Sequence, residues 1–290
     1  MNANSYFEIG HSHLVCEDYA LSEQSCGSTF IIVSDGCSES NNTDVGARLV
    51  TIIARDTLIH LINSNFLKQD KAIETFPIVF QQLFLKKCLE TKAVLNLSVN
   101  TFDATLLLSF VLDDQLFVLC YGDGHIIYKT KAGLTIADSI EYQSGAPYYL
   151  SYQMDNAKKE AYFNEFKESL IDEGSVTIKA DGSSNSRIFN QKLLTEHSNM
   201  FSYWKVFDIK NQELSSISLS SDGIGTYSKS QKSDSEIKLD SSLPEMIRRM
   251  VAYKGTNGDF VVRRMNRMRL NMTEGGIIHD DDVSCATIIF

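Results

Sequence analysis

The chain has 290 residues, 43% of them hydrophobic and 10% aromatic, enough apolar material for a sizeable core, which excludes a disordered or fibrous protein. Its 27 basic against 37 acidic residues give a formal charge of −10, so no broad positive field gathers nucleic acid or anionic lipid, and no nucleic-acid or membrane partner is expected. The six cysteines show no CxxC pair, against a zinc ribbon, and the opening MNANSYFEIG lacks the basic and apolar regions of a secretory signal, so a cytoplasmic location is expected.

Along the chain, Thr29 to Ser34 form an apolar run of strand length, as for a strand covered on both faces. From Thr43 the period changes: Val45, Leu49, Ile52, Ile53, Leu58, Leu61 and Ile62 recur at three and four, one face of a helix running roughly to Asn63. A second helix is expected across Ile78 to Leu95, with Pro77 in its first turn. DATLLLSFVL and QLFVLCY flank Asp113-Asp114 and predict a hairpin with a tight acidic turn; the same two charges keep this apolar region from spanning a bilayer.

Further strands are expected at His125 to Lys129, Tyr148 to Tyr152, Ser175 to Ile178, Trp204 to Ile209, Ile217 to Ser220 and the terminal SCATIIF. NAKKEAYFNEFKESLIDEG has helical composition, with Tyr162, Phe166 and Leu170 spaced by four, whereas KADGSSNSR predicts a polar loop and TYSKSQKSDSE a mobile surface loop. Two late helices are expected over Leu243 to Tyr253 and Asp259 to Leu270, the second carrying Arg263, Arg264, Arg267 and Arg269 on a solvated face. Hairpin-like strands with helices in pairs predict an α+β fold of antiparallel sheets with helices packed outside, in one domain over 1–290 with a variable segment at about 154–200.

The dipeptide Asp-Gly occurs at Asp35, Asp123, Asp181 and Asp222. Asp181-Gly182 enters a polar loop and is expected to be a plain turn. The other three each end a strongly apolar strand, Asp281 directly precedes the terminal strand, and Asp18 lies near the first strand. If those strands pair, the carboxylates meet at one end of the sheets, where mutual repulsion raises their pKa values unless a cation neutralises them. Oxygen-only clusters suit Mg²⁺ or Mn²⁺.

The order of these motifs resembles the metal-dependent serine/threonine phosphatases of type 2C: Glu17-Asp18, VSDG at 33–36, FDATLLLS at 102–109, YGDG at 121–124, SLSSDGIG at 218–225 and DDVS at 281–284. The resemblance implies a four-layer α/β/β/α sandwich with a binuclear Mg²⁺ or Mn²⁺ centre at one edge. In that scheme Asp35 bridges the two metals, the Gly36 carbonyl is a further ligand, Asp222 and Asp281 bind one metal, Glu17 and Asp18 hold waters around the centre, and Asp123 serves a third, weaker site. It further implies attack of an activated water on a phosphoserine or phosphothreonine of a protein substrate, without a covalent enzyme intermediate.

Two positions depart from the eukaryotic pattern. His13 stands where an Arg grips the phosphate, and Cys37 stands where a His follows the second motif; both departures resemble a bacterial branch with a G-x-S-H start, matched by Gly10, Ser12 and His13. His13 is the expected catalytic or phosphate-contacting histidine, with His11 and His279 as alternatives, and Cys37 is either an acid or a residue lining the site. Thr105 fills a small polar position of the family. Besides a protein phosphatase, a pseudophosphatase that binds without turnover and a hydrolase of small phosphorylated metabolites remain open.

Overall fold

The computed structural model describes residues 1–166, 169–196, 200–229 and 240–290. Seven strands pair antiparallel in one sheet: β1 (Asn2–Glu8), β6 (Gly124–Thr130), β7 (Thr135–Tyr142), β8 (Ser169–Ile178), β9 (Ser184–Leu194), β11 (Leu214–Ser220) and β14 (Val283–Ile289), in the order β1-β14-β11-β6-β7-β8-β9. A second antiparallel sheet has the order β10-β5-β4-β3-β2, from β2 (Asp18–Ser25), β3 (Ser28–Asp35), β4 (Leu106–Leu112), β5 (Gln115–Tyr121) and β10 (Tyr203–Asp208). The short strands β12 (Tyr227–Lys229) and β13 (Ile277–His279) pair with each other.

Helices cover both outer faces. Helix α1 (Thr43–Asn63) lies over β2 and β3, and α2 (Ala72–Leu95) packs beside it against β4, β5 and β10 through Phe76 and Pro77, while α4 (Leu243–Met250) and α5 (Phe260–Glu274) cover the seven-stranded sheet. Strand alternation sorts the core accordingly. On β14, Ala286 and Ile288 face the space between the sheets, while Val283 and Cys285 face Met265 and Met268 of α5. On β3, Phe30 to Val33 are wholly buried because the opposite sheet covers one face and α1 the other. The result is the expected four-layer α/β/β/α arrangement, and Asp113 and Asp114, both at positive φ, make the expected tight turn between β4 and β5.

Several expectations give way to tertiary pairing. Tyr148 to Tyr152 is no strand: Leu150–Met154 forms a 3-10 turn, and the Tyr148 ring packs edge-on against Tyr152 and Tyr162. Helix α3 (Asn156–Glu165) stops before Leu170, which lies in β8, because β7 offers a free edge for pairing from Tyr142 to Thr135. The polar KADGSSNSR holds a turn at Asp181-Gly182 followed at once by β9, paired along β8. Helix α2 begins at Ala72, which places Pro77 inside it, and the carbonyl of Pro77 accepts from Tyr121 Oη at 2.8 Å. Of the expected loop at 226–236, Tyr227–Lys229 is strand β12 and residues 230–236 lie outside the described residues. Of the four late arginines, Arg263, Arg267 and Arg269 are exposed, while Arg264 is half-buried and donates to the Arg249 carbonyl.

Candidate active site

Register alone brings the carboxylates to one edge of the sandwich. Asp18 pairs with Asp35 across β2 and β3. In the other sheet Ser220 stands opposite both His125 and Cys285, so Asp222, Asp123 and Asp281 follow or precede those positions at the same end. Asp35, Asp123, Asp222 and Asp281 line one cleft of about 790 Å³. Asp18 lies beneath it, fully buried, and its Oδ2 accepts from Ser221 Oγ at 2.7 Å.

The turn after β3 is held from three sides. The Asp35 amide donates to Thr105 Oγ1 at 2.9 Å and its carbonyl accepts from the Thr105 amide at 2.8 Å; the Gly36 amide donates to the Glu17 carbonyl at 3.1 Å, and the Cys37 amide to the Asp103 carbonyl at 2.9 Å. Only glycine fits at 36, since a Cβ there would lie 2.8 Å from the Glu17 carbonyl and 2.9 Å from Thr43. Thr105 is therefore the support of the Asp35 turn. The Glu17 carboxylate accepts from Thr43 Oγ1 at 2.5 Å.

A second tie joins the chain's two ends. Asp282, 2% exposed, accepts from the amides of Gly10 at 2.7 Å and Glu17 at 2.5 Å, and His13 sits 3.1 Å from its Oδ2 and 3.4 Å from Asp281 Oδ1. Burial alone would lower the His13 pKa, but Asp282, Asp281 and Glu17 raise it. His13 thus clamps carboxylates and is not among the residues that line the cleft, whereas Cys37 does line it. His11 and His279 border a separate pocket of about 150 Å³.

The cleft is electrostatically loaded. Burial, followed by the charges of Asp18, Asp222 and Asp123, raises the Asp35 pKa well above the carboxylate range. Burial raises Asp18 to about 7 against the opposing hydrogen bond from Ser221, and burial together with Asp222 raises Asp123 to about 7. Asp281 is raised by burial and by Asp222, with His13 acting the other way. Among the described residues no three His, Cys, Asp or Glu side chains close on a single ion position. The donor chemistry nevertheless fits a hard divalent cation: the cleft carboxylates offer oxygen only, they repel one another, and the buried Oδ1 of Asp18 has no hydrogen-bond partner.

The other wall comes from residues that sequence patterning does not single out. Tyr149, Tyr152 and Tyr162 line the cleft with Lys158 of α3. Lys158 Nζ donates to Asn100 Oδ1 at 2.9 Å and to both carboxylate oxygens of Asp103 at 2.8 and 2.6 Å. The same buried Asp103 accepts from Ser151 Oγ at 2.5 Å and Ser40 Oγ at 2.7 Å, so one carboxylate ties α3, the 3-10 turn and the loop after Asp35 together. Asp103 stands in the segment FDATLLLS, two residues before Thr105, and the neighbouring tyrosines at 148, 149 and 152 are the one compositional sign of the wall.

A family model described as Protein phosphatase 2C matches residues 9–266. Among solved structures, the serine/threonine phosphatase Stp1 from Staphylococcus aureus is 14% identical with a TM-score of 0.54, over 100% of this chain and 95% of that one. A bacterial serine phosphatase is 13% identical with a TM-score of 0.54, over 99% and 96%. PppA from Pseudomonas aeruginosa, described as a key regulatory component of T6SS, is 14% identical with a TM-score of 0.50, over 99% and 97%. At such identities these likenesses speak to the fold alone. No curated protein matches the sequence. The family match stops before Asp281 and Asp282, whose place at the cleft follows from the pairing of β14.

Proposed function

Because this chain belongs to the protein phosphatase 2C family, we propose that it is a metal-dependent hydrolase of phosphoserine and phosphothreonine in proteins. The observation that carries this reading is the gathering of Asp35, Asp123, Asp222 and Asp281 around one cleft, with Asp18 buried below. In it, Asp35, the Gly36 carbonyl, Asp222 and Asp281 hold two Mg²⁺ or Mn²⁺ ions, Glu17 and Asp18 hold the surrounding waters, and Asp123 serves a weaker third site. Such ions supply an acidified water as nucleophile and offset the charge of the phosphoryl oxygens.

The chain's own residues set the stage for that chemistry. Thr105 fixes the Asp35 backbone, and Ser221 holds one oxygen of Asp18 while leaving the other free. His13 and the amides of Gly10 and Glu17 orient Asp281 and Asp282, which makes His13 a positioning residue in this reading. Cys37 lines the cleft two residues after Asp35, and the Asp103 carbonyl fixes its amide.

The test is release of phosphate from an aryl phosphate and from a phosphothreonine peptide, with Mn²⁺, with Mg²⁺ and with chelator, comparing the native protein with Asp222→Asn. Metal-dependent release is expected, lowered on the order of 100-fold or more in the variant. Release that ignores metal, or that survives unchanged in the variant, defeats the assignment. A binding module without turnover is the second reading. It is favoured by the pairing of Lys158 with Asp103, since among the described residues no other basic side chain lines the cleft to grip a phosphate. Metal binding by calorimetry without any release would support it.

A further inference from the structure

We propose, on the reading that this cleft receives a phosphorylated peptide, that it selects phosphoserine and phosphothreonine sites flanked by basic residues, through Glu39 and Glu165 on its two walls. Glu39 follows the Asp35-Gly36 turn and Glu165 ends α3, so one carboxylate stands on the metal loop and the other on the covering helix; both are exposed and both line the cleft. Neither is among the carboxylates assigned to a cation, so their charge stays available when the floor is neutralised.

The opposing charge is already taken. Lys158 is the one basic side chain lining the cleft among the described residues, and all three of its protons go to Asn100 and Asp103. An acidic residue beside the phosphate therefore meets two carboxylates and, among the described residues, no free basic side chain of the cleft lining. A basic one meets the reverse, and finds aromatic faces as well. The Tyr152 ring already receives the Lys158 ammonium 4.9 Å from its centroid, which shows that this wall accepts a cation over an aromatic face. A guanidinium that pairs with a carboxylate and lies against a tyrosine gains from both contacts.

The experiment uses labelled phosphothreonine peptides of one length, with Arg, Ala or Glu on either side of the phosphorylated residue. Dissociation constants by anisotropy and kcat/KM by phosphate release are measured with Mn²⁺, for the native chain and for the Glu39→Gln/Glu165→Gln variant. The Arg-flanked peptide is expected to bind about 3- to 10-fold tighter than the Ala-flanked one, and the Glu-flanked peptide weaker than both, as befits two partly solvated ion pairs. In the double variant the Arg-to-Ala ratio falls toward one, and in the native chain it shrinks at about 0.5 M salt.

Equal binding of the three peptides, a preference for the Glu-flanked one, or a ratio that survives in the double variant overturns the inference. Hydrolysis of an aryl phosphate with no peptide binding also overturns it while leaving metal-dependent hydrolysis standing. Selective peptide binding without release from any substrate supports the recognition and overturns the hydrolase reading instead.

Discussion

A methyl group at position 223 would sit 1.8 Å from the carbonyl oxygen of Asp282, a backbone atom that cannot turn aside. That contact is where the end of β11 meets the approach to β14, so it sets how far Asp222 stands from Asp281. Gly223→Ala is expected to cost about 3 kcal/mol and to weaken Mn²⁺ binding, because the two strands must part to admit the methyl group. Denaturant midpoints and calorimetry check it; a native midpoint with native metal affinity would show that the approach is not rigid. The Asp-Gly pairs were legible in the sequence for a related reason, since an apolar strand that stops on Asp-Gly marks a charge at a sheet edge. What His13 touches was not legible. Its neighbours Asp281 and Asp282 lie at the far end of the chain, and no local period encodes that meeting.

Among the elements, α3 shows how a wall of the cleft is fixed. Its cap is local, with the Asp155 carboxylate accepting from the amides of Ala157 at 2.9 Å and Lys158 at 3.4 Å, but its position over the cleft rests on the long-range pair of Lys158 with Asp103. Asp103→Ala removes the acceptor of Lys158, Ser151 and Ser40 at once and is expected to cost about 2–3 kcal/mol. The loss should be local first: amide exchange over residues 145–166 quickens while the buried strand β3 keeps its protection. Uniform loss of protection would mean that Asp103 supports the whole core and not this wall. The same contrast explains which elements the sequence announced. Strand β3 and the β4–β5 hairpin carry unbroken apolar runs because both their faces are covered, and helix α1 carries a period of three and four, although it buries Ala47, Val50, Ile53, Ala54, Leu58 and Leu61 and leaves Val45 and Ile52 of the expected face exposed. Strand β9 is almost entirely exposed and carries no such period; it is a strand because β8 presents an edge to it.

For the molecule as a whole, a chain of net charge −10 folds so as to bring several carboxylates to one edge, and the cost of doing so depends on pH. Asp18 and Asp123 rise from the ordinary 3.8 to about 7, chiefly by burial, and Asp35 rises well beyond the ordinary range. Without a cation the folded chain therefore holds more protons than the unfolded one between about pH 4 and about pH 7, so the stability from these groups is full below that window and falls as pH rises through it. Each tenfold change in proton affinity is worth about 1.4 kcal/mol. A divalent cation binds the ionised carboxylates, so it must displace more protons at low pH than at neutral pH. Saturating Mn²⁺ is thus expected to raise the melting temperature by several degrees more at about pH 7.5 than at about pH 5, relative to chelator. An increment that is independent of pH, or larger in acid, would mean that these carboxylates are not where the cation binds. Asp222→Asn sharpens the test without requiring any turnover. Asp222 is among the charges that raise Asp35, Asp123 and Asp281, so the variant in chelator should lose less stability between about pH 5 and about pH 7.5 than the native chain does, and its Mn²⁺ increment should shrink at both.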